Sequence, residues 1–384
     1  MKIGIDIRNI GKKRTGDEVV FFNLVKNFAK IDQLNEYVLF TDILDEESLR
    51  TIKTSLGIKK NPRFKLVPLK TSDRFSWNFW TIGAYLRQNP VDIYLTQYVT
   101  PLFVPKKIKI ATIIHDVSFN AYGKFIQFSD LLFLNILIPL AMKRADKVIG
   151  VSKFTRDEIL KYYKINPEKV TWIHNAAGDN FREEISPEQL ASVRTKFKLP
   201  EKFILYIGTM QPRKNLPNLI EAYAKLPTAT KAEVKLVLAG GKGHNFDRGI
   251  DAAIKKHSLR KNVLFTGYVG EKYKPALFKA SAIFCNPSLY EGFGITILEA
   301  MTLGIPVVAS DIPPHREVAQ NSIVYSNPAV ARDLTEKLNS VLINEYLRQE
   351  LADKEHAQAQ NFSWVKTAER MLKIFSDTAD HNNS

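Results

Sequence analysis

The chain has 384 residues, more than one hydrophobic core usually spans, so two domains are expected. Its 45% hydrophobic and 25% charged residues are ordinary for a globular protein. The net charge of +15 divides into an excess of eight in residues 1–190 and seven in residues 191–384, so it is not gathered in a basic tail. It favours anionic partners: phosphorylated small molecules, an anionic membrane surface or nucleic acid. Neither zinc-finger spacing nor an RNP-type aromatic pattern occurs, which sets nucleic acid aside.

MKIGIDIRNI runs from the initiator directly into an apolar strand, with no secretory leader, so a cytoplasmic protein is expected. The single cysteine, Cys285, has no internal disulfide partner and fits a reducing compartment. RTGDEVVFF then places Thr15 and Gly16 between the first strand and first helix, where a glycine lets backbone approach a ligand. No GxGxxG stands there, so dinucleotide binding is not supported. Phe21, Leu24, Val25 and Phe28 keep the i, i+3, i+4, i+7 spacing of an amphipathic helix.

The strand candidates YVLF, FKLVPL, VDIYLTQ, IKIATIIHD, KVIGVS and KVTWIHN follow, mostly with helix-like segments between them. His115 and Asp116 fall just past one of these strands, at its carboxyl end. A lone histidine is usually structural, but this placement also suits a cleft-facing hydrogen-bonder or acid/base. The other six histidines lack metal-ligand spacing. LLFLNILIPLAM, residues 131–142, is too short to span a bilayer. It reads as a buried helix, or as one lying partly in a membrane interface beside Lys143, Arg144 and Lys147.

After the acidic stretch DNFREEISPEQ the alternation restarts with KFILYIG, VKLVLAGG, NVLFTGYV, AIFCNPS, IPVVAS and SIVYSN. Two series predict two Rossmann-like, doubly wound, parallel-sheet α/β domains, with the boundary near residue 185. Facing each other, they would form a central cleft lined by strand carboxyl ends. In YIGTMQPRKNLPNLIEAY a strand ends at Gly208 and a helix follows Pro217, leaving Arg213 and Lys214 in the connecting loop. Adjacent cations at that position suit a diphosphate, although a solvated basic turn is the plain alternative.

LYEGFGITILEAMTLGIPVVAS carries two carboxylates, Glu291 and Glu299, eight residues apart in apolar and small sequence. Pro287 ends a strand, EGFG turns, and ITILEAMTL forms a helix stopped by Gly304 and Pro306. The helix start around Gly294, Ile295 and Thr296 welcomes an anion. Glu299, a turn further on, suits a vicinal diol such as the hydroxyls of a ribose. Glu291 precedes the turn and faces whatever lies beyond the phosphates. A helix cap plus a salt-bridged carboxylate is the alternative for the pair. Asp-x-Asp is absent, so no divalent metal is expected, and Arg213, Lys214 and the helix start would neutralise a diphosphate instead.

E291-GFGITIL-E299, the preceding NPS and the following EAMTLGIPVVASD closely resemble the donor-site region of retaining GT-B glycosyltransferases of family 4. YIGTMQPRKNLPNLIEAY is similar to a loop of the mannosyltransferase-like branch. GVSKFTRDEI resembles the segment closing the family's N-terminal domain, and NFSWVKTAERML resembles its C-terminal helix. The resemblance implies an acceptor-binding domain over residues 1–185 and a donor-binding domain over 186–362, with residues 363–384 crossing back onto the first. It implies that Glu299 binds the ribose and Glu291 the transferred sugar, with backbone contacts from Gly292, Phe293 and Gly294. Thr296 and Ile297 would present N–H groups to the phosphates, and Ile295 would share that helix start. Arg213 and Lys214 would hold the diphosphate, His115 would lie beside the sugar, and Gly16 would lie near the donor. Gly208 and Thr209 complete the donor loop, although Thr209 stands where many relatives carry arginine. The first loop, Thr15-Gly16-Asp17-Glu18-Val19, also departs from the relatives' T-G-I-G-R.

The activity implied is transfer of a hexose, with retention, from a nucleoside diphosphate sugar to a glycan or lipid-linked glycan. The PRKN loop resembles enzymes that use GDP-mannose. No cofactor is implied, since the nucleotide sugar is a substrate. Peripheral association with an anionic membrane, at the inner face of the cytoplasmic membrane, fits the charge. The alternatives are a retaining glycoside hydrolase using Glu291 and Glu299, a nucleotide-sugar isomerase or epimerase, and a catalytically silent nucleotide-sugar-binding protein.

Overall fold

A computed structural model describes residues 1–12, 16–101, 103–123, 128–243 and 245–380, with the side chains of 74, 128–130, 132 and 133 left aside. Thr15, the end of the C-terminal segment beyond residue 380, and part of the 131–142 run therefore lie outside what is described. The chain forms two compact units. The first comprises residues 1–120, 128–175 and 363 onward; the second comprises residues 121–127 and 176–362.

The first unit holds β1 (Lys2–Asp6), β2 (Glu36–Thr41), β3 (Phe64–Pro68), β4 (Ile93–Gln97), β5 (Lys109–Ile114), β6 (Lys147–Gly150) and β7 (Val170–Trp172). All pair in parallel, in the order β3-β2-β1-β4-β5-β6-β7. Helices cover the faces of such a sheet, so its central strands are apolar runs: Ile3, Ile5, Ile93, Leu95, Ile110 and Ile113 are all fully buried. Helix Asp17–Ile31 buries Val20, Phe21, Leu24, Val25 and Phe28, the stripe its spacing predicts. Helix Trp364–Asp380 lies on it, with the ring of Phe375 6.0 Å from that of Phe28. Thr367 of this helix also donates to the carbonyl of His174 (2.7 Å).

The second unit holds β8 (Lys202–Ile207), β9 (Val234–Ala239), β10 (Val263–Gly267), β11 (Ile283–Asn286), β12 (Val307–Ser310) and β13 (Val324–Ser326). They too are parallel, in the order β10-β9-β8-β11-β12-β13. Each of the thirteen strands among the described residues falls on a segment expected from its apolar pattern, and the class of two doubly wound α/β units is as predicted. Strand order reverses direction between β8 and β11, and between β1 and β4. Loops at the carboxyl ends of these strands part there, which is where open α/β sheets bind ligands.

Behind the second sheet, helix Glu345–Ala359 packs on helix Ile295–Thr302 and buries Glu355 completely. One oxygen of Glu355 accepts the Val307 N–H at 2.8 Å, but burial still drives its carboxyl well above the usual range. A carboxyl raised in the folded state costs stability as pH climbs above its unfolded value of about 4.3. Glu355→Gln removes that cost and keeps the acceptor. It is expected to be at least as resistant to urea as the parent at about pH 8, whereas Glu355→Ala loses about 1–3 kcal/mol. A Gln variant weaker than the parent at that pH would contradict the assignment.

Candidate active site

The chain leaves β8 at Ile207 and turns through Gly208 and Thr209 into a short 3-10 turn, Pro212–Lys214, before helix Leu216–Ala224. The helix begins one residue before Pro217, whose missing N–H costs nothing in a first turn. Two close backbone approaches shape this loop. A Cβ on Gly240 would sit 1.9 Å from the carbonyl oxygen of Gly208, so the β8 and β9 ends meet only through glycine. Tyr206, buried below, donates its hydroxyl to the carbonyl of Thr209 (2.7 Å).

Asn215 joins the turn to the helix in the left-handed conformation (φ 58°), which asparagine tolerates. Its amide donates to the carbonyls of Pro287 (3.1 Å) and Pro328 (2.8 Å), while Leu289 N–H donates to the carbonyl of Arg213 (2.8 Å). The loop after β8 is thus stitched to the loop after β11. That stitching brings Arg213 and Lys214 to Glu291. Lys214 Nζ reaches both carboxylate oxygens (2.6 and 2.7 Å), Arg213 Nη1 reaches Oε2 (3.3 Å), and Ser288 Oγ donates to Oε1 (2.7 Å). That single hydroxyl proton is shared with Asn286 Oδ1 (2.6 Å from Ser288 Oγ), which also accepts the Ser288 N–H (3.2 Å). Burial alone would raise the Glu291 carboxyl, but Lys214 and Arg213 outweigh it and hold the group far below the usual carboxylate range. The sequence assigned these residues separate partners; in the structure they are partners of one another.

Gly294 starts helix Ile295–Thr302 with φ 101°, a backbone that disfavours any side chain. Phe293 is buried edge-on against Phe362 (5.9 Å), so its side chain anchors the turn. Asn286 reaches Thr296 Oγ1 at 3.5 Å. The Ile297 N–H already donates to the carbonyl of Gly294 (3.0 Å), so an approaching anion meets Ile295 and Thr296 before it. Glu299 is buried one turn on, with Oε2 lacking any hydrogen-bond partner among the described residues. Burial pushes its carboxyl up to about 7, against the pull of Lys274, whose Nζ stands 4.0 Å away.

Sequence reasoning missed His315. It lies in helix Pro313–Ala319, wholly buried, with Nδ1 donating to the carbonyl of Ser310 (2.8 Å). Nε2 is then an acceptor, unpartnered among the described residues, and its ring edge is 3.4 Å from where a Cβ on Gly294 would stand. Burial pushes its pKa down to about 4, so the ring is neutral. Lys274, Ser288, Asn215 and Gly240 were also not singled out. The signal for His315, a proline-flanked DIPPHRE, and that for Gly240, a glycine pair ending VKLVLAGG, are visible but not specific.

In the first unit, His115 follows β5 and shares a 2.7 Å hydrogen bond with Gln97 at the end of β4. Asp17 Oδ1 lies 3.9 Å from the same nitrogen, and the ring of Tyr98 is 5.5 Å away. Gly16 precedes helix Asp17–Ile31 with φ 70° and open space where a Cβ would be. No three His, Cys, Asp or Glu among the described residues come together as metal ligands.

Residues 15–177 match the family described as Glycosyltransferase Family 4, and residues 189–358 match Glycosyl transferases group 1. The chain belongs to glycosyltransferase family 4. As a family-4 glycosyltransferase it is similar to O-antigen chain mannosyltransferase B of Escherichia coli, 28% identical over 79% of this chain and 85% of that one. It is also 31% identical to the serotype-specific mannosyltransferase WbdA of Escherichia coli, over 61% of this chain but 29% of WbdA. HepE of Anabaena, solved with UDP and glucose, has the same GT-B fold, with a TM-score of 0.74 at 18% identity over 98% of this chain and 100% of that one. WaaG, a glycosyltransferase involved in lipopolysaccharide biosynthesis, gives a TM-score of 0.71 at 18% identity over 98% and 99%.

The ion-pair cluster of this glycosyltransferase has a measurable signature. Lys214→Met leaves Glu291 buried with one cation fewer and is expected to cost about 3–5 kcal/mol in chemical denaturation. Adding Glu291→Gln should return much of that loss, with a coupling of about 1–3 kcal/mol. Additive single effects would show that the two residues do not depend on each other.

Proposed function

We propose that this glycosyltransferase moves a mannosyl residue from GDP-mannose to a glycan acceptor, with retention at the anomeric carbon and without a metal ion. The observation that carries the reading is the joining of Arg213, Lys214 and Glu291 at the switch point between β8 and β11. The mannosyl preference is supported by the O-antigen chain mannosyltransferases of Escherichia coli and Salmonella typhimurium among the similar proteins.

In this reading the diphosphate lies on the start of helix Ile295–Thr302, beside Arg213 and Lys214. As the bond from the anomeric carbon to the phosphate oxygen breaks, the sugar becomes oxocarbenium-like and negative charge grows on the diphosphate. Fixed cations placed there stabilise that charge, which takes the place of a divalent ion. The acceptor oxygen then bonds to the same face, and its proton passes to the departing phosphate oxygen, so no enzymic nucleophile is consumed. Glu291 holds the hydroxyls of the transferred sugar and meanwhile keeps Lys214 in position. Glu299 accepts from the two ribose hydroxyls, and Gly208, Thr209, Gly292, Phe293 and Gly294 contribute backbone. His115 and Gly16 belong to the unit that would carry the acceptor.

The acceptor is proposed to be a glycan on a lipid carrier at the inner face of the cytoplasmic membrane. Helix Phe128–Arg144 exposes Ile136 and Leu140, and beside it lies a cavity of about 470 Å³ lined by Pro139, Met142, Lys143, Tyr163 and Lys164. Apolar side chains next to lysines suit an anionic interface. Among the described residues no helix is long and apolar enough to cross a membrane.

A thermal-shift panel of nucleotide sugars should single out GDP-mannose, and product NMR should show the donor's anomeric configuration kept. Lys214→Ala and Arg213→Ala are each expected to lower kcat by about 100-fold or more, while EDTA leaves the parent's rate unchanged. Stabilisation by no nucleotide sugar would sink the reading. Glu299 binds a diol best when ionised, so donor affinity should rise with pH through about 7. A flat profile between about pH 6 and 8 would remove Glu299 from the donor site.

A further inference from the structure

We propose that Lys274 is a positioning residue of the donor site, a buried counter-charge that favours the ionised form of Glu299 for receiving the ribose diol, with Glu271 setting how much of that charge Glu299 feels. The proposal rests on the donor reading above.

Lys274 belongs to helix Lys274–Ala280, on the GEKYKPAL segment that follows β10, and helix Ile295–Thr302 follows β11. A lysine is among the residues least often buried, yet Lys274 is 8% exposed. Burial by itself would discharge it, but the neighbouring carboxylates of Glu299 and Glu271 reverse the effect and raise it. Its ammonium stands 2.6 Å from Glu271 Oε1 and 4.0 Å from Glu299 Oε1. The ammonium is therefore shared unequally. The half-exposed Glu271 takes the short contact, and the buried Glu299 takes only the field. Glu271 also adds a like charge near Glu299, which works against its ionisation.

The other titratable groups on the elements packed around Glu299 are engaged elsewhere. Glu355 accepts the Val307 N–H, and His356 Nδ1 contacts the carbonyl of Thr302 at 3.2 Å. His315 feels Glu291 rather than Glu299. Glu299 thus depends on Lys274 for its charge, and its unpartnered Oε2 is left to meet the ligand. An ionised carboxylate accepts from both hydroxyls of a diol; a protonated one accepts less well and places a proton where a hydroxyl must donate. A direct, short Lys274–Glu299 bond would have occupied Oε1, one of the two oxygens that a diol uses. The 4.0 Å spacing supplies charge without filling it.

The test measures, as a function of pH, the binding of GDP and UDP and of their 2′,3′-dideoxy counterparts to the full chain by calorimetry. The parent should prefer the ribonucleotide by about tenfold or more, with a midpoint near 7 set by Glu299. Lys274→Met should lower that preference near neutral pH and move its midpoint up by about one pH unit or more. Lys274→Arg should restore much of it. Glu271→Gln should move the midpoint down, the opposite direction, and it tests the idea even where Lys274→Met folds poorly. A merely structural lysine would weaken both nucleotides equally and leave the midpoint in place, and that result overturns the proposal. Failure of the parent to bind any nucleotide would overturn the donor reading itself. A parent that binds ribo- and dideoxynucleotides alike would remove Glu299, and with it Lys274, from ribose recognition.

Discussion

The second unit is organised around one buried carboxylate. Glu291 is nine-tenths hidden from water, and an ion so placed is tolerable only with charge and hydrogen bonds on every side. Lys214, Arg213 and Ser288 supply them. Because the cations come from the loop after β8 and the carboxylate from the loop after β11, their pairing requires those strands to be neighbours, as they are. It also requires the backbone to come close, which Gly240 allows and Asn215 secures. The same arrangement gathers fixed positive charge at the sheet's switch point, where the proposed donor's diphosphate would lie.

Glu299 shows how far the outcome depends on surroundings rather than on burial. It is as hidden as Glu291, eight residues away in sequence, yet its carboxyl is pushed up while that of Glu291 is held down. Two cations within hydrogen-bonding distance outweigh desolvation; one cation at 4.0 Å, offset by a second carboxylate, does not. The first carboxylate is a fixed ion that orders its loop, and the second is an acceptor poised near neutrality. Both properties come from neighbours remote in sequence.

Much of this was legible beforehand. Strands buried on both faces are apolar runs, and helices between them carry a 3.6-residue stripe, so the described strands and the doubly wound class follow from local pattern. Arg213, Lys214, Glu291 and Glu299 stood out because charges beside glycine turns at strand ends have few structural uses. Lys274 and His315 did not, since GEKYKPAL and DIPPHRE read as ordinary helix starts. Nothing local reveals that the lysine is buried against Glu299, or that the imidazole faces Gly294 with Nδ1 given to a carbonyl.

The two α/β series, the glycine turns, the helix starts and the sites of charge are local properties of the chain, because each is set within a few residues by backbone sterics and side-chain periodicity. Which charges compensate which is fixed only on folding. Lys214 and Glu291 are 77 residues apart and meet because strand order places β8 beside β11. Electrostatic free energy inside a protein depends on distances of a few ångströms and on access to water. Neither quantity exists until the sheet has formed.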